Sequence, residues 1–528
     1  MSFLTSRSLP LSRETPRVAA FLASPLTTLL LIAAAIALQA AGHIDCDVSW
    51  FITFAEKVVD GAVPYVDVTD PNPPAAFLVL APAVRLARAL GLAVEPVVAA
   101  LVFFAGFLSL TFSAAAIVRY GAPRSREDRG LLLNASVFLL LVAPAHVFAE
   151  REHMALLALM PLLAMLAARA EGGRAPMPLR LLAGLGGGLA VCFKPFFALA
   201  ILLPALALAA RERSPRLLLS GETAAAAALV LLYGALTLVF FPAYARDALP
   251  LIADVYQPAR ESWARLALSL APFNVALLVA LAAASAQGFA HPPAAPGFVA
   301  PAAARVCAFA SLGFLAAFLL QGKGWMNHAY PGLALALLAW CFFALDPHPR
   351  ARAARDGRLF KFVFLPLFLS APAMFGAGAM LGDFEEHPGL DAGIARVAPA
   401  HPRLIALARE LSFGHPVTRQ LGGTWVGRPN ALWLASLAGY LLPGAKDPAW
   451  RARLEGYRRR DLAGFAEDVR AGRPDAIIVE DRATREWTLA QPETTHALDG
   501  YEKTGQVEEV EIWTRKAPDG VAPPGAAT

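Results

Sequence analysis

The stretch "HIDCDVSWF", residues 43–51, decides how the chain is interpreted. It follows an almost purely apolar run, residues 20–41, which has the length that a membrane-spanning helix needs. Asp45 and Asp47 therefore stand at the point where the chain leaves a predicted span. They are either ordinary polar loop residues or carboxylates held at the depth of the lipid headgroups.

The composition indicates a polytopic α-helical membrane protein that carries a soluble portion. Hydrophobic residues make up 57% of the 528 residues and charged residues only 16%, whereas soluble globular proteins have roughly 25% charged residues. The four cysteines lie far apart, without the spacing of a metal-ligand or redox motif, so we expect them to be small core residues. They are Cys46, Cys192, Cys307 and Cys341.

Apolar segments of spanning length recur along the first two thirds of the chain and predict about eleven transmembrane helices. They lie near 21–41, 96–118, 130–147, 153–169, 180–195, 196–210, 217–241, 270–287, 302–320, 328–345 and 360–381. The pair at 180–210 is short and is compatible with a tilted or re-entrant element. A cleavable signal peptide is the alternative for the first segment, but its apolar run is longer than a signal-peptide core.

The distribution of arginine sets the predicted topology. Residues 74–92 contain Arg85 and Arg88 within an apolar run, and they form either a span or a helix on the membrane surface. Placing them on the outer surface gives the cytoplasmic loops roughly twice as many Lys and Arg residues as the outer loops. We therefore predict a cytoplasmic N-terminus and an extracytoplasmic C-terminus. The formal net charge of +5 then reflects membrane topology rather than a nucleic-acid partner.

The predicted organisation has four parts. They are a cytoplasmic N-terminus at 1–20, a transmembrane domain at 21–381 with an outer loop and surface helices at 43–95, an extracytoplasmic α/β domain at 382–515 and a disordered tail at 516–528. In the C-terminal part, "DAIIVED" at 475–481 predicts a short buried strand and "VEEVEIWTRK" at 507–516 an edge strand. Residues 451–472 predict a helix closed by Gly472.

Ionisable residues gather at the outer turns of this topology. Such groups are costly at membrane depth and normally face the protein interior or an aqueous cavity. Because several turns carry them on the same side, we predict one charged cavity at the outer interface. The turns are "FAEREHM" with Glu150, Arg151, Glu152 and His153, "VCFKPF" with Lys194, and "QGKGWMNHAYP" with Lys323, Asn327 and His328.

Each of these groups also has a purely structural explanation. Asp47 precedes an amphipathic run and is a candidate N-cap of that helix. Glu150 to His153 are compatible with a salt-bridged interfacial turn, and Lys194 with a side chain that extends to the headgroups. Lys323 and His328 flank a glycine-bounded turn. The sequence leaves these alternatives open residue by residue.

The first outer loop resembles that of the GT-C membrane glycosyltransferases, which include protein O-mannosyltransferases and the lipid A aminoarabinose transferase. The matching pattern is an Asp after the first span, a Gly-x-x-Pro-Tyr and a Pro-Pro that opens a surface helix. Here these residues are Asp47, Gly61, Pro64, Tyr65, Pro73 and Pro74. "CFKPF" is similar to the Lys-Gly-Pro turn of the family, although the glycine is absent.

The resemblance implies an inverting transferase in a bacterial inner membrane, with its C-terminal domain in the periplasm. It would move a sugar from a polyprenyl-phosphate donor to a cell-surface glycan, lipopolysaccharide or protein. An acceptor hydroxyl must lose a proton as it attacks the anomeric carbon, so a positioned carboxylate is needed as general base. The phosphate leaving group needs charge stabilisation, which a cation or a divalent metal ion supplies.

The family pattern assigns the general base to Asp47, with Asp45 as the second candidate. Glu150 or Glu152 would orient the acceptor or, together with His153, bind a divalent metal ion. The surface helix with Arg85 and Arg88 would guide the polyprenyl chain. The substrate-binding candidates are Tyr65, Arg85, Arg88, Arg151, His153, Lys194, Lys323 and His328.

Two other functional classes fit parts of the sequence. A flippase or transporter for a lipid-linked sugar would use the charged cavity, but no internal repeat is evident. A membrane-anchored polysaccharide assembly protein would use the C-terminal domain, but an anchor does not require charges at several turns. A change of carboxylate to amide abolishes activity in the transferase and does little in the anchored protein.

Overall fold

The computed structural model describes residues 15–42, 44–121, 124–211, 213–287, 302–371, 373 and 387–516. Several predicted segments lie partly or wholly outside the described residues. They are most of the cytoplasmic N-terminus, the end of the last span at 374–381, the first residues of the C-terminal domain at 382–386 and the tail from 517 onward.

The apolar part of the chain is helical. Its helices are α1 Thr15–Leu22, α2 Pro25–Ala41, α3 Cys46–Val59, α4 Ala75–Leu78, α5 Ala81–Leu90, α6 Val94–Tyr120, α7 Arg126–Val137, α8 Arg151–Ala170, α9 Met177–Phe193, α10 Leu199–Arg211, α11 Gly221–Phe240, α12 Leu249–Leu251, α13 Trp263–Leu268, α14 Ala271–Gln287, α15 Ala302–Gln321, α16 Met326–Ala344, α17 Pro349–Asp356 and α18 Phe360–Ala371. Shorter 3-10 or π turns occupy Phe138–Val142, Ala145–Val147, Pro195–Ala198, Pro215–Leu219, Tyr244–Ala248 and Ile252–Tyr256.

Four of the described helices are long and apolar enough to cross a membrane on their own, namely α6, α8, α11 and α15. The number rises to six if the bent pairs α2–α3 and α16–α17 each form one span, and four shorter apolar helices accompany them. The multi-helix membrane architecture is as predicted, while the count of eleven spans stays a prediction. Helix α8 is the most enclosed of the four, and α11 lies almost wholly at the surface.

Helix α3 begins with an acidic cap. Asp45 is the N-cap residue, and its side chain accepts hydrogen bonds from the backbone N–H of Asp47 at 2.7 Å and of Val48 at 3.4 Å. These bonds satisfy donors that the first turn of a helix leaves without partners. The cap is therefore Asp45 and not Asp47, so the structural alternative for Asp47 is wrong. Asp47 stands in the first turn with its carboxylate available for other contacts.

The predicted surface helix at 74–92 is present as the short helix α4 followed by α5. Ala83, Val84 and Ala87 are buried, whereas Arg85 and Arg88 are exposed. Arg88 forms a bidentate ion pair with Asp60, with a distance of 3.0 Å between Nη2 and Oδ2. Gly91 ends α5 in the left-handed conformation at φ 66°, which glycine adopts without a steric penalty. This burial pattern supports the amphipathic surface helix.

A small sheet follows in the C-terminal part, with α19 Leu390–Ala395, α20 Val417–Gln420, α21 Trp433–Leu441, α22 Pro448–Gly472 and α23 Arg482–Leu489 around it. The strands are β1 Arg403–Leu407, β2 Thr424–Trp425, β3 Ala476–Val479, β4 Tyr501–Val507 and β5 Val510–Arg515, in the order β2-β1-β3-β5-β4. The pairs β1–β2 and β1–β3 are parallel, and β5 is antiparallel to both β3 and β4.

Two sequence predictions in this part concern strands. "DAIIVED" forms the buried strand β3, which lies at the centre of the sheet, as its continuous apolar run predicts. "VEEVEIWTRK" contains β5, but β5 is not an edge strand, so that prediction is wrong. The reason is the hairpin with β4, which has few apolar residues and takes the edge position itself. Helix α22 ends at Gly472 as predicted, and Arg473 takes the left-handed position after it.

The C-terminal sheet unit packs against helix α3. Arg419 on α20 forms ion pairs with Glu56 on α3 and with Glu95 on α6. Lys57 donates a hydrogen bond to the carbonyl of Gly427 at 2.6 Å. The imidazole of His415 lies between the rings of Trp50 and Trp425, with centroid distances of 5.3 and 4.8 Å. Helix α3 is therefore fixed by the C-terminal unit along one side and at its C-terminal end.

The buried His415 generates a prediction on pH and stability. Its side chain is fully buried, and neither ring nitrogen has a hydrogen-bond partner among the described residues. Burial, with the charges of Arg419 and Lys57 nearby, lowers the pKa of His415 to about 3. The unfolded chain therefore binds a proton below pH 6.5 that the folded chain does not bind, and stability falls as the pH falls from about 6.5 to about 3.

We expect His415→Phe to reduce the stability difference between pH 7.5 and pH 5.0 by about 2 kcal/mol. Thermal unfolding of the purified full-length protein at the two pH values measures this. An unaltered pH dependence in His415→Phe would show that the imidazole gains a proton in the folded protein.

Candidate active site

An ion pair joins the start of α3 to the start of α8. Nη2 of Arg151 donates to Oδ2 of Asp47 at 2.8 Å, and Nη1 donates to Oδ1 of Asn72 in the outer loop. The guanidinium lies over the ring of Phe51, 4.7 Å from its centroid. The Arg151 side chain is only 4% exposed and that of Asp47 20% exposed. The carboxylate thus lies at the boundary between the interior and the outer surface.

One oxygen of Asp47 stays available. The ion pair uses Oδ2, and Oδ1 has no hydrogen-bond partner among the described residues. The Nε atom of Arg151 is buried and, within the same part of the chain, also lacks a partner. The site therefore places a carboxylate with one uncommitted oxygen beside a buried cation with one uncommitted donor.

The outer loop adds two residues to this network that the sequence analysis did not assign to the site. Oδ1 of Asp70 accepts hydrogen bonds from the backbone N–H and from Nδ2 of Asn72, both at 2.7 Å, and Oδ2 accepts one from Nε1 of Trp50 at 2.8 Å. Burial raises the pKa of Asp70 above its usual value. The sequence signal was the turn "DPNPP", residues 70–74, where Asp and Asn are flanked by prolines.

Tyr65 supports that turn. Its hydroxyl donates to the carbonyl of Asn72 at 2.7 Å, and its ring packs against Phe77 and Tyr244. Tyr65 adopts φ 66°, which is uncommon for a residue with a side chain. The structure therefore places this substrate-binding candidate underneath the site, where it positions Asn72.

A second group of buried charges lies between α8, α9, α15 and α16. Lys194 forms an ion pair with Glu152, and its Nζ lies 3.1 Å from Oε1 of Gln321 and 2.7 Å from Nε2 of His328. Nε2 of His328 lies 3.3 Å from Oε1 of Glu152. We call these four residues the inner cluster. The structure thus brings together Glu152, Lys194 and His328, which come from three separate predicted turns.

The other two polar residues at the start of α8 have separate partners. The buried Glu150 accepts a hydrogen bond from Nδ2 of Asn327. His153 uses both ring nitrogens on the backbone: Nδ1 accepts from the N–H of Ala149 at 3.1 Å, and Nε2 lies 2.8 Å from the carbonyl of Leu140. This pattern fits the neutral tautomer with the proton on Nε2.

A divalent metal ion, which the sequence left as one alternative, requires these side chains to converge. Glu150, Glu152 and His153 instead have different partners, and across the described ranges no group of three His, Cys, Asp or Glu side chains is arranged to hold a metal ion. A protein metal site normally needs several side chains whose donor atoms share one point. Glu150, Glu152 and His153 therefore do not fit a shared metal site.

The remaining candidates form no hydrogen bond or ion pair with Asp47 in the described part of the chain. Nζ of Lys323 donates to the backbone carbonyls of Tyr256 and Ala259 and lies 4.0 Å from the centre of the Tyr256 ring. Burial lowers the pKa of Lys323 to about 8. Lys323 therefore holds the segment at 256–259 in place. Arg85 and Arg88 lie on the exposed face of α5.

An apolar cavity adjoins the Asp47–Arg151 pair. Its volume is about 620 Å³, and its walls come from the surface helix and from α6, α8, α9 and α11, with Val79, Ala83, Val102, Leu157 and Leu189 among the lining residues. A smaller hollow is lined by Asp47, Glu150 and Arg151. Leu80 and Met154 line both spaces, so the apolar cavity ends beside the charged pair.

Comparison with solved structures defines the class of fold. The chain has a GT-C-like fold, in agreement with the resemblance of its first outer loop to that class of membrane glycosyltransferases. The solved structures whose fold it shares include two of ArnT from Cupriavidus metallidurans. The crystal structure of ArnT bound to undecaprenyl phosphate is 13% identical, with a TM-score of 0.54 over 96% of this chain and 99% of that chain. The apo structure is 14% identical, with a TM-score of 0.55 over 92% and 97%.

At this level of identity the similarity shows a shared fold and leaves the activity to be argued from the site. No protein-family model and no curated protein matches the chain. The coverage is nearly complete in both directions, so the C-terminal sheet unit is part of the similarity as well as the helices.

The inner cluster generates a stability prediction. We expect Glu152→Gln to destabilise the protein by about 3 to 5 kcal/mol, because it leaves the buried Lys194 without a counter-charge. The double variant Glu152→Gln, Lys194→Met should recover most of that loss, because it removes both charges together. Thermal unfolding of the purified protein measures both variants. The exposed pair of Arg482 and Glu486 is the control, since Glu486→Gln should have no measurable effect. Equal destabilisation in the single and double variants would contradict the pairing.

Proposed function

We propose that the protein is a membrane glycosyltransferase that moves a sugar from a polyprenyl-phosphate donor to a hydroxyl of an extracytoplasmic acceptor. The observation that carries the proposal is the junction of the apolar cavity with the Asp47–Arg151 pair. A lipid-linked sugar phosphate has an apolar chain, an anion and a reacting carbon in that order. The cavity, the cation and the carboxylate provide matching environments in the same order.

Asp47 acts as the general base in this proposal. Its uncommitted Oδ1 accepts the proton of the acceptor hydroxyl as the oxygen attacks the anomeric carbon, and the bond from that carbon to the phosphate oxygen breaks. The contact with Arg151 fixes the carboxylate through Oδ2, so Oδ1 keeps one orientation. Attack on the face opposite the leaving phosphate inverts the anomeric configuration, in line with the predicted inverting mechanism.

Arg151 stabilises the leaving phosphate. The guanidinium is buried, and the uncommitted Nε adds a donor to the two nitrogens that contact Asp47 and Asn72. A cation in a water-poor site stabilises developing negative charge more strongly than it does in bulk water. Glu152 and Lys194 neutralise each other directly beneath, so the inner cluster supports the start of α8 without competing for the phosphate.

Asp45 and Asp47 therefore have different roles. Asp45 caps α3 and defines where the helix starts, while Asp47 carries the chemistry from the first turn. Glu150 lines the same hollow and is positioned to contact the acceptor rather than a metal ion. Arg85 and Arg88 contribute to anchoring the surface helix at the headgroups, and the chain of the donor lies along the opposite, buried side of that helix.

The location follows from the same proposal. The protein is a multi-pass component of a bacterial inner membrane with its N-terminus in the cytoplasm. The C-terminal sheet unit and the Asp47 site share the periplasmic side, because Arg419, Lys57 and His415 connect them. The acceptor is a cell-surface glycan, lipopolysaccharide or protein that approaches from that side.

We expect Asp47→Asn to reduce sugar transfer about 100-fold or more, because an amide cannot take the acceptor proton. Mass spectrometry measures the glycans and lipid carriers of a deletion strain that carries Asp47→Asn or Asp45→Asn at matched membrane levels. The matched control is Asp45→Asn, which should stay active because asparagine caps a helix about as well as aspartate. The donor should accumulate in the Asp47→Asn strain. A wild-type glycan profile in that strain would remove Asp47 from catalysis, and no glycan change on deletion would count against transfer altogether.

The apolar cavity yields a separate kinetic prediction. Ala105 lines the cavity on α6, so Ala105→Trp should fill part of it and raise KM for the polyprenyl-phosphate donor with little change in kcat. Ala100→Trp, on the same exposed helix but outside the cavity, is the control. Initial rates against donor concentration in reconstituted membranes separate the two constants. Equal KM values for both variants would show that the donor chain lies elsewhere.

A further inference from the structure

A second cavity lies on the membrane face opposite the candidate active site. Helix α6 begins beside Glu95, which pairs with Arg419 of the C-terminal unit, and it runs for 27 residues. At 1.5 Å per residue, its other end lies roughly 40 Å away, which is enough to cross the whole membrane. The last turns of α6, between Leu110 and Val118, line the second cavity. It therefore opens towards the opposite leaflet.

The walls of this cavity are mostly apolar and belong to several helices. Leu110 and Ala114 come from α6, Leu163 from α8, Cys307 from α15 and Leu338 from α16. Its volume is about 90 Å³, compared with about 620 Å³ for the cavity beside Asp47. The smaller space takes part of one acyl chain, whereas a long isoprenoid chain needs far more. The rest of such a lipid would lie along the exposed surface of α6.

Arginines close the end of this cavity that faces the membrane surface. Arg124 and Arg129 both line it. The Arg124 side chain is 8% exposed, and its buried Nη1 has no hydrogen-bond partner in the described part of the chain. Nη2 of Arg124 lies 3.5 Å from Oε1 of Glu171, which also interacts electrostatically with Arg305. Arg305 also interacts electrostatically with the buried Asp346, and neither carboxylate accepts a hydrogen bond from Nη1 of Arg124.

We propose that this cavity binds an anionic glycerophospholipid of the leaflet opposite the active site. The phosphate accepts hydrogen bonds from Nη1 of Arg124 and from the exposed Arg129, and one acyl chain enters the apolar cavity. A buried arginine donor without a partner costs free energy, and an anion that accepts from it removes that cost. The lipid connects α6 and α7 to α15 and α16 at the end of the bundle that the C-terminal unit does not hold.

Native mass spectrometry of the purified full-length protein tests the proposal. The protein is exchanged into detergent with phosphatidylglycerol, phosphatidylcholine or undecaprenyl phosphate, and the retained lipid is counted over a concentration series. We expect one phosphatidylglycerol to bind the wild type, and Arg124→Gln to weaken that binding about tenfold through loss of a charge-assisted contact. Arg126→Gln is the matched control, because Arg126 is exposed and lies outside the cavity.

A second pair of variants tests the binding of the lipid's acyl chain rather than of its charged headgroup. Ala114→Trp should block the exposed mouth of the cavity and weaken binding as Arg124→Gln does, whereas Ala115→Trp, one residue along the same exposed surface, should not. Because both alanines are exposed, this pair keeps the test valid even if Arg124→Gln fails to fold. Equal retention by Ala114→Trp and Ala115→Trp, or equal binding of phosphatidylcholine and phosphatidylglycerol to the wild type, overturns the proposal. Preferential, Arg124-dependent binding of undecaprenyl phosphate overturns the choice of lipid.

Discussion

The structure depends on one constraint, which is that the ionisable side chains at the start of α8 are buried and must each have a hydrogen-bond partner or a counter-charge. Glu150, Arg151 and Glu152 are consecutive, so their side chains leave the helix in different directions. Each reaches a different part of the chain: Asn327 on α16, Asp47 on α3 and Lys194 after α9. An unpaired buried charge costs about 3 to 5 kcal/mol, a large part of a typical stability of about 5 to 15 kcal/mol. The start of α8 therefore fixes the relative positions of three distant segments.

Helix α3 connects the start of α8 to the C-terminal unit. Its first turn holds Asp47, and its last turn holds Glu56 and Lys57, which contact Arg419 and the carbonyl of Gly427. A helix resists bending, so a displacement at one end moves the other. The unit outside the membrane is therefore a support for the candidate catalytic carboxylate, in addition to any contact with the acceptor. The nearly complete coverage of ArnT by this chain is consistent with such a support being part of the fold.

The sequence predicted the parts of this arrangement that depend on local composition. Apolar length predicted the helices, and the two arginines in an apolar run predicted the surface helix α5. Charges in short turns predicted one charged cavity, whereas the structure buries Arg151 against Asp47 and places Glu152, Lys194 and His328 in a separate cluster. The partners were not predictable, because pairing depends on tertiary packing. Lys323 and Lys194 both stand in short turns between apolar helices, yet one contacts backbone carbonyls and the other a carboxylate. A site role for Asn72 was not predictable, because an asparagine in a proline-rich turn is also what an ordinary turn contains.

The two aspartates at the start of α3 show why a catalytic carboxylate and a helix cap are better kept on separate residues. A carboxylate oxygen that accepts backbone N–H bonds is committed to the helix end and is not available to take a proton from an acceptor hydroxyl. Asp45 is the residue that accepts these bonds, from the N–H groups of Asp47 and Val48. Asp47 instead contacts Arg151 through one oxygen and leaves the other open towards the hollow. Residues two apart do not share a helix face, so the cap and the base point in different directions from the same turn. The stretch "HIDCDVSWF" needs both acids, because the cap fixes where the helix begins and that start determines where the base lies.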